Sequence, residues 1–258
     1  MKTALITGAS SGIGLEFVRI FGKDKNDLVL VARSEEKLNE LAEELTKNYG
    51  VKVKVIVKDL ADKNAPSEIK EELEKDKIEI EYLINNAGFG GYGLYHETDW
   101  KKENDMIQVN VTALAELSKI FVKEMVKRNS GRILNVASTA AFQPGPLMSV
   151  YYATKAFVLS LSEAMAYELQ ETNVTVTCLC PGPTKSNFQN AANINESGLV
   201  KGRKIPSSYD VALYGYNAMM KGEYVAIEGF MNKVMALGVR FMPRKMVLAT
   251  VYKIQRFR

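Results

Sequence analysis

Short apolar segments alternate with amphipathic segments along most of the chain, and this alternation limits the possible folds more than any other feature. The apolar segments are typical of strands and lie at residues 2–7, 28–33, 51–60, 81–88, 131–138, 173–180 and 223–228. The amphipathic segments are typical of helices and lie at residues 12–22, 35–48, 66–76, 103–128, 151–171 and 208–221. This order predicts an α/β fold with a parallel sheet, right-handed crossovers and helices on both faces.

Composition is consistent with one globular domain. The chain has 258 residues, 47% of them hydrophobic, and a formal net charge of only +4, which excludes disorder as its main state. No apolar run approaches the roughly 18 residues that span a bilayer, and the first residues do not resemble a signal peptide. The two cysteines, Cys178 and Cys180, cannot form a disulfide framework. We therefore expect a cytoplasmic protein with a single domain over residues 1–228.

The last 30 residues differ from the rest in charge. After Glu228 the chain has no acidic residue and seven basic ones, interleaved with apolar side chains. Two interpretations stay open for this extension, residues 229–258. A terminal helix docking its apolar side on the body is the simpler one, and an amphipathic segment lying on an anionic surface is the other.

A glycine-rich turn follows the first strand. The segment Thr7–Gly14 reads TGASSGIG and leads directly into a predicted helix. Glycines let the backbone approach a ligand closely, and the free N–H groups and dipole of a helix N-terminus favour negative charge. The spacing G-x-x-x-G-x-G differs from the more common G-x-G-x-x-G, yet its context predicts a pyrophosphate site. A plain tight turn is the alternative.

A basic residue ends the second strand, where a site for NAD would place a carboxylate on the ribose 2′-hydroxyl. Here the position holds Arg33, which suits a 2′-phosphate through a charge-assisted hydrogen bond. Lys37 lies one helical turn further on and is a second candidate. A solvated Arg33 paired with Glu35 or Glu36 is the alternative interpretation.

Tyr151 and Lys155 are four residues apart in a predicted helix, so their side chains share one face. A neighbouring ammonium group favours the phenolate and lowers the pKa of a tyrosine, which makes it useful for proton transfer. The helix follows the strand that ends at Ser138, whose hydroxyl could hold a substrate carbonyl or simply cap the strand end. Tyr152 is less suited, because four residues after it stands Ala156.

These motifs together resemble the short-chain dehydrogenase/reductase family. The resemblance rests on TGASSGIG (7–14), Asp59-Leu60, NNAG (85–88), Asn110, Ser138, YYATK (151–155) and PGPT (181–184), and it extends over essentially residues 2–228. It implies a single Rossmann-type, doubly wound domain with a parallel seven-stranded sheet flanked by helices. It also implies a homodimer or homotetramer paired through the long helices.

The resemblance assigns roles to individual residues. Tyr151 is implied to be the proton donor or acceptor, Lys155 to lower its pKa and hold the nicotinamide ribose, Ser138 to orient the substrate oxygen, and Asn110 to position a water molecule in the proton relay. Cofactor contacts are implied for Gly8, Ser10, Ser11, Gly12, Ile13, Gly14, Arg33, Asp59, Leu60, Asn86, Ala87, Gly88, Tyr151, Lys155, Pro181, Gly182 and Thr184. Residues 184–206 are expected to form a substrate flap.

The sequence therefore predicts an NADP(H)-dependent oxidoreductase that interconverts a carbonyl and an alcohol. The side chains expected around the substrate are mostly apolar, which favours a hydrophobic small molecule: Phe89, Tyr92, Ala140, Phe142, Pro144, Leu147 and Met148. We expect neither a metal site nor a nucleic-acid partner. Two alternatives are a dinucleotide-binding regulatory module without turnover and a membrane-surface protein that acts through the basic extension.

Overall fold

A computed structural model describes residues 2–185 and 205–256. Seven strands run through them: β1 Thr3–Thr7, β2 Asp27–Ala32, β3 Val53–Val57, β4 Tyr82–Asn85, β5 Gly131–Val136, β6 Val174–Leu179 and β7 Val225–Ala226. They form one parallel sheet in the order β3-β2-β1-β4-β5-β6-β7. The predicted α/β fold with a seven-stranded parallel sheet is confirmed.

The strand order reverses between β1 and β4, because the chain first builds outward to β3 and then returns to pair β4 with the other side of β1. In doubly wound sheets a crevice opens at such a reversal, beyond the carboxyl ends of the strands. The glycine-rich turn follows β1 and the NNAG segment follows β4, so both lie at this crevice.

Helices cover the two faces of the sheet, and two further helices follow β7. In the described ranges the helices are α1 Gly12–Lys23, α2 Glu35–Tyr49, α3 Ala65–Lys75, α4 Trp100–Ile107, α5 Leu114–Arg128, α6 Ser149–Glu168, α7 Ser208–Lys221 and, after β7, α8 Phe230–Gly238 and α9 Arg244–Gln255. Short 3₁₀ helices occupy Thr139–Phe142 and Val239–Phe241. None of the helices in the described part of the chain combines the length and apolar character that crossing a bilayer requires.

The predicted long helix over residues 103–128 differs from the structure in two ways. It begins earlier, at Trp100, because the carboxylate of Asp99 accepts hydrogen bonds from the backbone N–H groups of Lys101 and Lys102. It is also interrupted, because residues Gln108–Ala113 form a π-helical segment. Such widened turns frequently occur at functional sites, and this one contains Asn110.

Two apolar cores hold the helices on the sheet. On one face, α1 and α2 pack Phe17, Phe21 and Leu38 against the strands. On the other face, α3 and α5 pack Leu73 and Phe121. All five side chains are essentially inaccessible to solvent, and complete burial of each contributes about 1.5–3 kcal/mol relative to exposure. These cores fix the strand ends that shape the crevice.

A line of buried polar side chains crosses the sheet between α5 and α6. The amide Nδ2 of Asn85 donates to Ser118 Oγ and to Asn135 Oδ1, each at 2.9 Å, and Asn135 Nδ2 donates to Ser162 Oγ at 2.9 Å. Asn85 and Asn135 are paired in register on β4 and β5. The hydrogen bonds offset the cost of burying these groups.

Replacing Asn135 with leucine is therefore expected to lower the free energy of unfolding. The substitution leaves partners of the buried network without a hydrogen bond, a loss of about 1–3 kcal/mol. Urea denaturation monitored by circular dichroism measures it. Asn173→Leu, at an exposed position before β6, is the control and should change stability far less. Equal stability of the two variants would contradict the prediction.

Candidate active site

The turn between β1 and α1 is too crowded for side chains at its glycines. Gly8 has a φ of +66°, in the left-handed region that favours glycine, and a Cβ there would lie 2.8 Å from Asn86 Nδ2. A Cβ on Gly14 would overlap the carbonyl oxygen of Gly8. The first turn of α1 therefore packs directly on the loop, with its backbone N–H groups at the carboxyl end of β1.

Hydrogen bonds tie this turn to the segment that follows β4. The hydroxyl of Thr7 accepts from the backbone N–H groups of Asn86 and Ala87, both at 3.0 Å. In return, Asn86 Nδ2 donates to the carbonyl oxygen of Thr7 at 2.9 Å. Both walls of the crevice are thus fixed to each other where the strand order reverses.

Three polar side chains meet at the start of α6. Ser138 follows β5, and its hydroxyl is hydrogen-bonded to that of Tyr151. It also caps the 3₁₀ helix by accepting from Ala140 N at 3.1 Å, so the capping interpretation of this serine is confirmed and its contact with a substrate oxygen stays a prediction. Lys155 lies one turn beyond Tyr151, with its Nζ 5.8 Å from the centre of the tyrosine ring and 2.8 Å from the carbonyl oxygen of Val136, to which it donates.

Burial is the largest influence on the pKa values of Tyr151 and Lys155. It raises the pKa of Tyr151 to about 12, against the hydrogen bond with Ser138, which lowers it. It lowers the pKa of Lys155 to about 8, because the ammonium is removed from water beside β6. The shift of Tyr151 is thus opposite to the one expected from a neighbouring cation alone. At neutral pH the phenol keeps its proton and the lysine is charged.

Asn110 occupies the π-helical segment behind the crevice. Its amide clamps the backbone of Phe89, with Nδ2 donating to the carbonyl oxygen at 3.0 Å and Oδ1 accepting from the N–H at 3.1 Å. Nδ2 also donates to Thr154 Oγ1 at 3.1 Å. A Cβ on Gly88 would lie 2.9 Å from Asn110 Oδ1 and 3.4 Å from Lys155 Nζ. Asn110 therefore fixes the Gly88–Phe89 backbone against α6.

One cleft of about 940 Å³ extends from the glycine turn past the segment after β4 to Ser138, Tyr151 and Lys155. Seventeen of the predicted site residues line it: Gly8, Ser10, Ser11, Gly12, Ile13, Arg33, Asp59, Leu60, Asn86, Ala87, Gly88, Ser138, Tyr151, Lys155, Pro181, Gly182 and Thr184. The two others, Gly14 and Asn110, lie immediately behind its wall. The tight glycine turn and the helix N-terminus fit the pyrophosphate of a dinucleotide.

Arg33 lies at the rim of the cleft, next to Asp59. Its guanidinium is 78% exposed and its Nη1 lies 3.7 Å from Asp59 Oδ2. The alternative pairing with Glu35 or Glu36 does not occur, since neither is within ion-pair distance of Arg33. Lys37 is exposed and does not line the cleft. Lys58, next to Asp59 in the chain, also lines the cleft but is ion-paired with Glu68, so Arg33 has the more exposed cationic group at this rim.

The wall on the substrate side differs from the sequence expectation. Phe89, Ala140 and Met148 line the cleft as expected, whereas Tyr92, Phe142, Pro144 and Leu147 do not. Most of the expected flap at 184–206 lies outside the described residues, which omit 186–204. The missing wall comes from the C-terminal extension: Asn232, Met235, Ala236, Gly238, Val239, Met242, Val247, Thr250, Val251 and Ile254.

Hydrogen bonds from Gln255 attach this extension to the site. Tyr92 donates from its hydroxyl to the carbonyl oxygen of Gln255 at 3.0 Å, which explains why it faces away from the cleft. The buried side chain of Gln255 donates from Nε2 to the hydroxyl of Tyr152 at 2.6 Å. The helical spacing of Val247, Val251 and Ile254 is the sequence signal for a cleft-facing side of α9.

Comparison with known proteins identifies the family. A family model described as short chain dehydrogenase matches residues 2–197. The chain belongs to the short-chain dehydrogenase family. The chain spans 58% of the length of the first curated relatives that it matches. The described residues contain no cluster of three or more His, Cys, Asp or Glu side chains suited to a metal ion.

Individual relatives of this short-chain dehydrogenase cover most of its length. The 17-beta-hydroxysteroid dehydrogenase type 3 of Mus musculus is 35% identical over 183 residues, 69% of this chain and 58% of that protein. The 7beta-hydroxysteroid dehydrogenase of Mediterraneibacter gnavus is 32% identical over 180 residues, 70% of this chain and 68% of that protein. A short-chain dehydrogenase from Sphingobium yanoikuyae in complex with NADPH superposes with a TM-score of 0.84 and 32% identity, covering 93% of this chain and 94% of that one.

The crowding at Gly14 predicts that Gly14→Ala weakens dinucleotide binding by at least about tenfold, because α1 and the turn must move apart to admit the methyl group. Fluorescence titration with NADPH and NADH measures the dissociation constants. Gly50→Ala is the control for backbone strain without crowding, since Gly50 has a φ of +69° but a Cβ there meets no atom within 4 Å. Wild-type affinity in Gly14→Ala would contradict the prediction.

Proposed function

We propose that this protein is an NADP(H)-dependent oxidoreductase that interconverts a carbonyl and an alcohol on a hydrophobic small molecule. The observation that carries the proposal is one cleft that contains the glycine turn, Arg33 and the hydrogen-bonded hydroxyls of Ser138 and Tyr151. Reduction of a panel of aromatic and aliphatic ketones, followed by NADPH absorbance, tests it. Oxidation of added NADPH that never depends on a ketone would contradict it.

The bound dinucleotide would supply the hydride, and the chain would supply binding and a proton. The turn at Gly8, Gly12 and Gly14 would hold the pyrophosphate, with Asp59, Leu60 and Asn86–Gly88 on the adenine side. Pro181, Gly182 and Thr184 would lie on the nicotinamide side, as the family resemblance implies. Their common position in the cleft supports these assignments.

The proton would come from Tyr151. Its hydroxyl and that of Ser138 are adjacent, so both can hydrogen-bond to one substrate oxygen, and the phenol retains its proton at neutral pH because burial raises its pKa to about 12. When the proton moves to the substrate oxygen, the ammonium of Lys155 stabilises the phenolate that forms. Oxidation of an alcohol would use the same groups in reverse. Asn110 would support a proton relay by fixing the backbone at Phe89.

The substrate would be bulky and apolar. Phe89, Met148, Val239, Val251 and Ile254 supply an apolar lining, and few charged groups stand near Tyr151 within the described cleft. Burial of apolar substrate surface against such walls contributes about 25 cal/mol per Å². The hydroxysteroid dehydrogenases among the relatives bear names consistent with a substrate of this size and polarity.

We further propose a cytoplasmic homodimer or homotetramer. Exposed apolar side chains on α5 and α6, among them Val126, Phe157 and Tyr167, support pairing through these long helices. The free thiols of Cys178 and Cys180 are consistent with a reducing compartment. The division of the chain into residues 1–228 and 229–258 stays a prediction.

Tyr151→Phe is expected to lower kcat/KM for ketone reduction by about 10²–10⁴-fold, because only the proton-transfer group is lost. The dissociation constant for NADPH should stay nearly unchanged. Steady-state kinetics and fluorescence titration measure the two quantities. Tyr167→Phe, an exposed tyrosine on the same helix, is the matched control. A variant activity within about tenfold of wild type would show that a group other than Tyr151 donates the proton.

Arg33→Asp is expected to reverse the cofactor preference from NADPH to NADH. A charged hydrogen bond to phosphate is worth roughly 1.5–3 kcal/mol, or about 10- to 150-fold, and an aspartate can accept from the 2′-hydroxyl of NAD. The ratio of kcat/KM for the two cofactors is measured at one ionic strength, since exposed charges are screened. Lys37→Asp is the control. If it changes the preference while Arg33→Asp does not, Lys37 binds the phosphate.

A further inference from the structure

The outer side of the C-terminal helices exposes an unusual number of apolar side chains. Phe230 and Phe241 are 78% and 81% exposed. The others counted on this side are at least one-third exposed and do not line the cleft: Met231, Val234, Leu237, Met246, Leu248 and Tyr252. Large contiguous apolar surfaces are rare on monomeric proteins and mark interaction sites. We call the exposed side chains of residues 230–256 the C-terminal surface.

Docking on the body does not account for this apolar character. The inner side of the same segment, with Ala236, Val247, Val251 and Ile254, already lines the cleft or is buried. A helix that only covers a cleft needs one apolar side, and its outer side is normally polar. Here the outer side is apolar as well, so the C-terminal surface requires a second apolar partner.

Charge indicates what kind of partner it is. All six basic residues of this segment that the structure describes are exposed: Lys233, Arg240, Arg244, Lys245, Lys253 and Arg256. None of them forms an ion pair with a residue in the described ranges. No acidic residue follows Glu228 in the sequence. The partner must therefore be both apolar and negatively charged.

A second copy of the chain does not meet this requirement. A two-fold interface would place the same surface on both sides and bring twelve described cations together, and like charges facing each other oppose association. The surface of an anionic lipid bilayer is both apolar and negatively charged. Its acyl chains accept the aromatic and aliphatic side chains, and its headgroups attract lysine and arginine.

We propose that the C-terminal surface docks on anionic membranes. Phe230 and Phe241 would enter the boundary between headgroups and acyl chains, and the basic side chains around them would contact lipid phosphates or carboxylates. The helices would lie on the bilayer without crossing it. Docking is independent of the proposed reaction, because it uses the side of the helices that faces away from the cleft.

Co-sedimentation of the full chain with vesicles tests the proposal. The probes are vesicles of phosphatidylcholine alone and of phosphatidylcholine mixed with phosphatidylserine, at low and high salt. Binding is expected to the mixed vesicles, to weaken as salt screens the charges, and to be much weaker with phosphatidylcholine alone. Free phosphoserine added in excess should not displace the protein, because it offers no acyl chains.

Two pairs of substitutions separate the apolar and charged contributions. Phe230→Ser with Phe241→Ser should weaken binding to the mixed vesicles by at least about tenfold. Arg240→Glu with Arg244→Glu should weaken it by at least about 25-fold, at roughly fivefold per cationic charge lost near the surface. Tyr209→Ser with Tyr224→Ser, exposed aromatics outside the C-terminal surface, is the control and should bind like wild type. Thermal unfolding checks that all three are folded.

Three results would overturn the proposal. One is the absence of binding to mixed vesicles at low salt, and another is equal binding to both kinds of vesicle. The third comes from light scattering without lipid. If wild type forms an assembly that Phe230→Ser with Phe241→Ser dissociates, the C-terminal surface is an interface between copies of the chain.

Discussion

The hydrogen bonds between Thr7 and Asn86 are the interaction on which the rest of the site depends. They join the ends of β1 and β4, the two strands between which the sheet order reverses. They continue the pairing of β1 with β4 beyond the strand ends and hold the glycine turn beside the segment after β4. With them, Gly8 and Gly14 pack so closely that the first turn of α1 has a fixed orientation toward the cleft.

A second constraint acts on the other side of the cleft, where the structure removes a tyrosine and a lysine from water. Burial favours the neutral form of each group, which raises the pKa of Tyr151 and lowers that of Lys155. The widened helical turn at Asn110 belongs to the same arrangement, because it lets one amide bind both the backbone of Phe89 and Thr154. The side chains proposed for proton transfer thus belong to helices and strand ends held by buried contacts.

The C-terminal extension has features of both interpretations that the sequence left open. Its inner side packs on the body and forms cleft wall, held through Gln255 to Tyr92 and Tyr152. Its outer side keeps the exposed apolar and basic residues of the second alternative. The sequence shows basic residues interleaved with apolar ones after Glu228, and this pattern does not tell whether the segment contacts the body, a second partner or both.

The sequence by itself determined the fold class and most of the cleft. Hydrophobic alternation located the seven strands to within a few residues, because parallel strands are buried on both faces and read as apolar runs. Motif order placed seventeen of the predicted residues in one cleft, because chain order in a doubly wound sheet dictates which strand ends meet. Only the tertiary structure decided the rest. The π-helical segment at Asn110 depends on contacts with Phe89 and Thr154. The pKa of Tyr151 is raised because the side chain is buried. The cleft wall formed by α8 and α9 depends on packing between residues up to 163 positions apart. The secondary-structure propensity of a local segment does not depend on such distant contacts. The shape of the substrate side of the cleft could therefore not be predicted from the sequence alone.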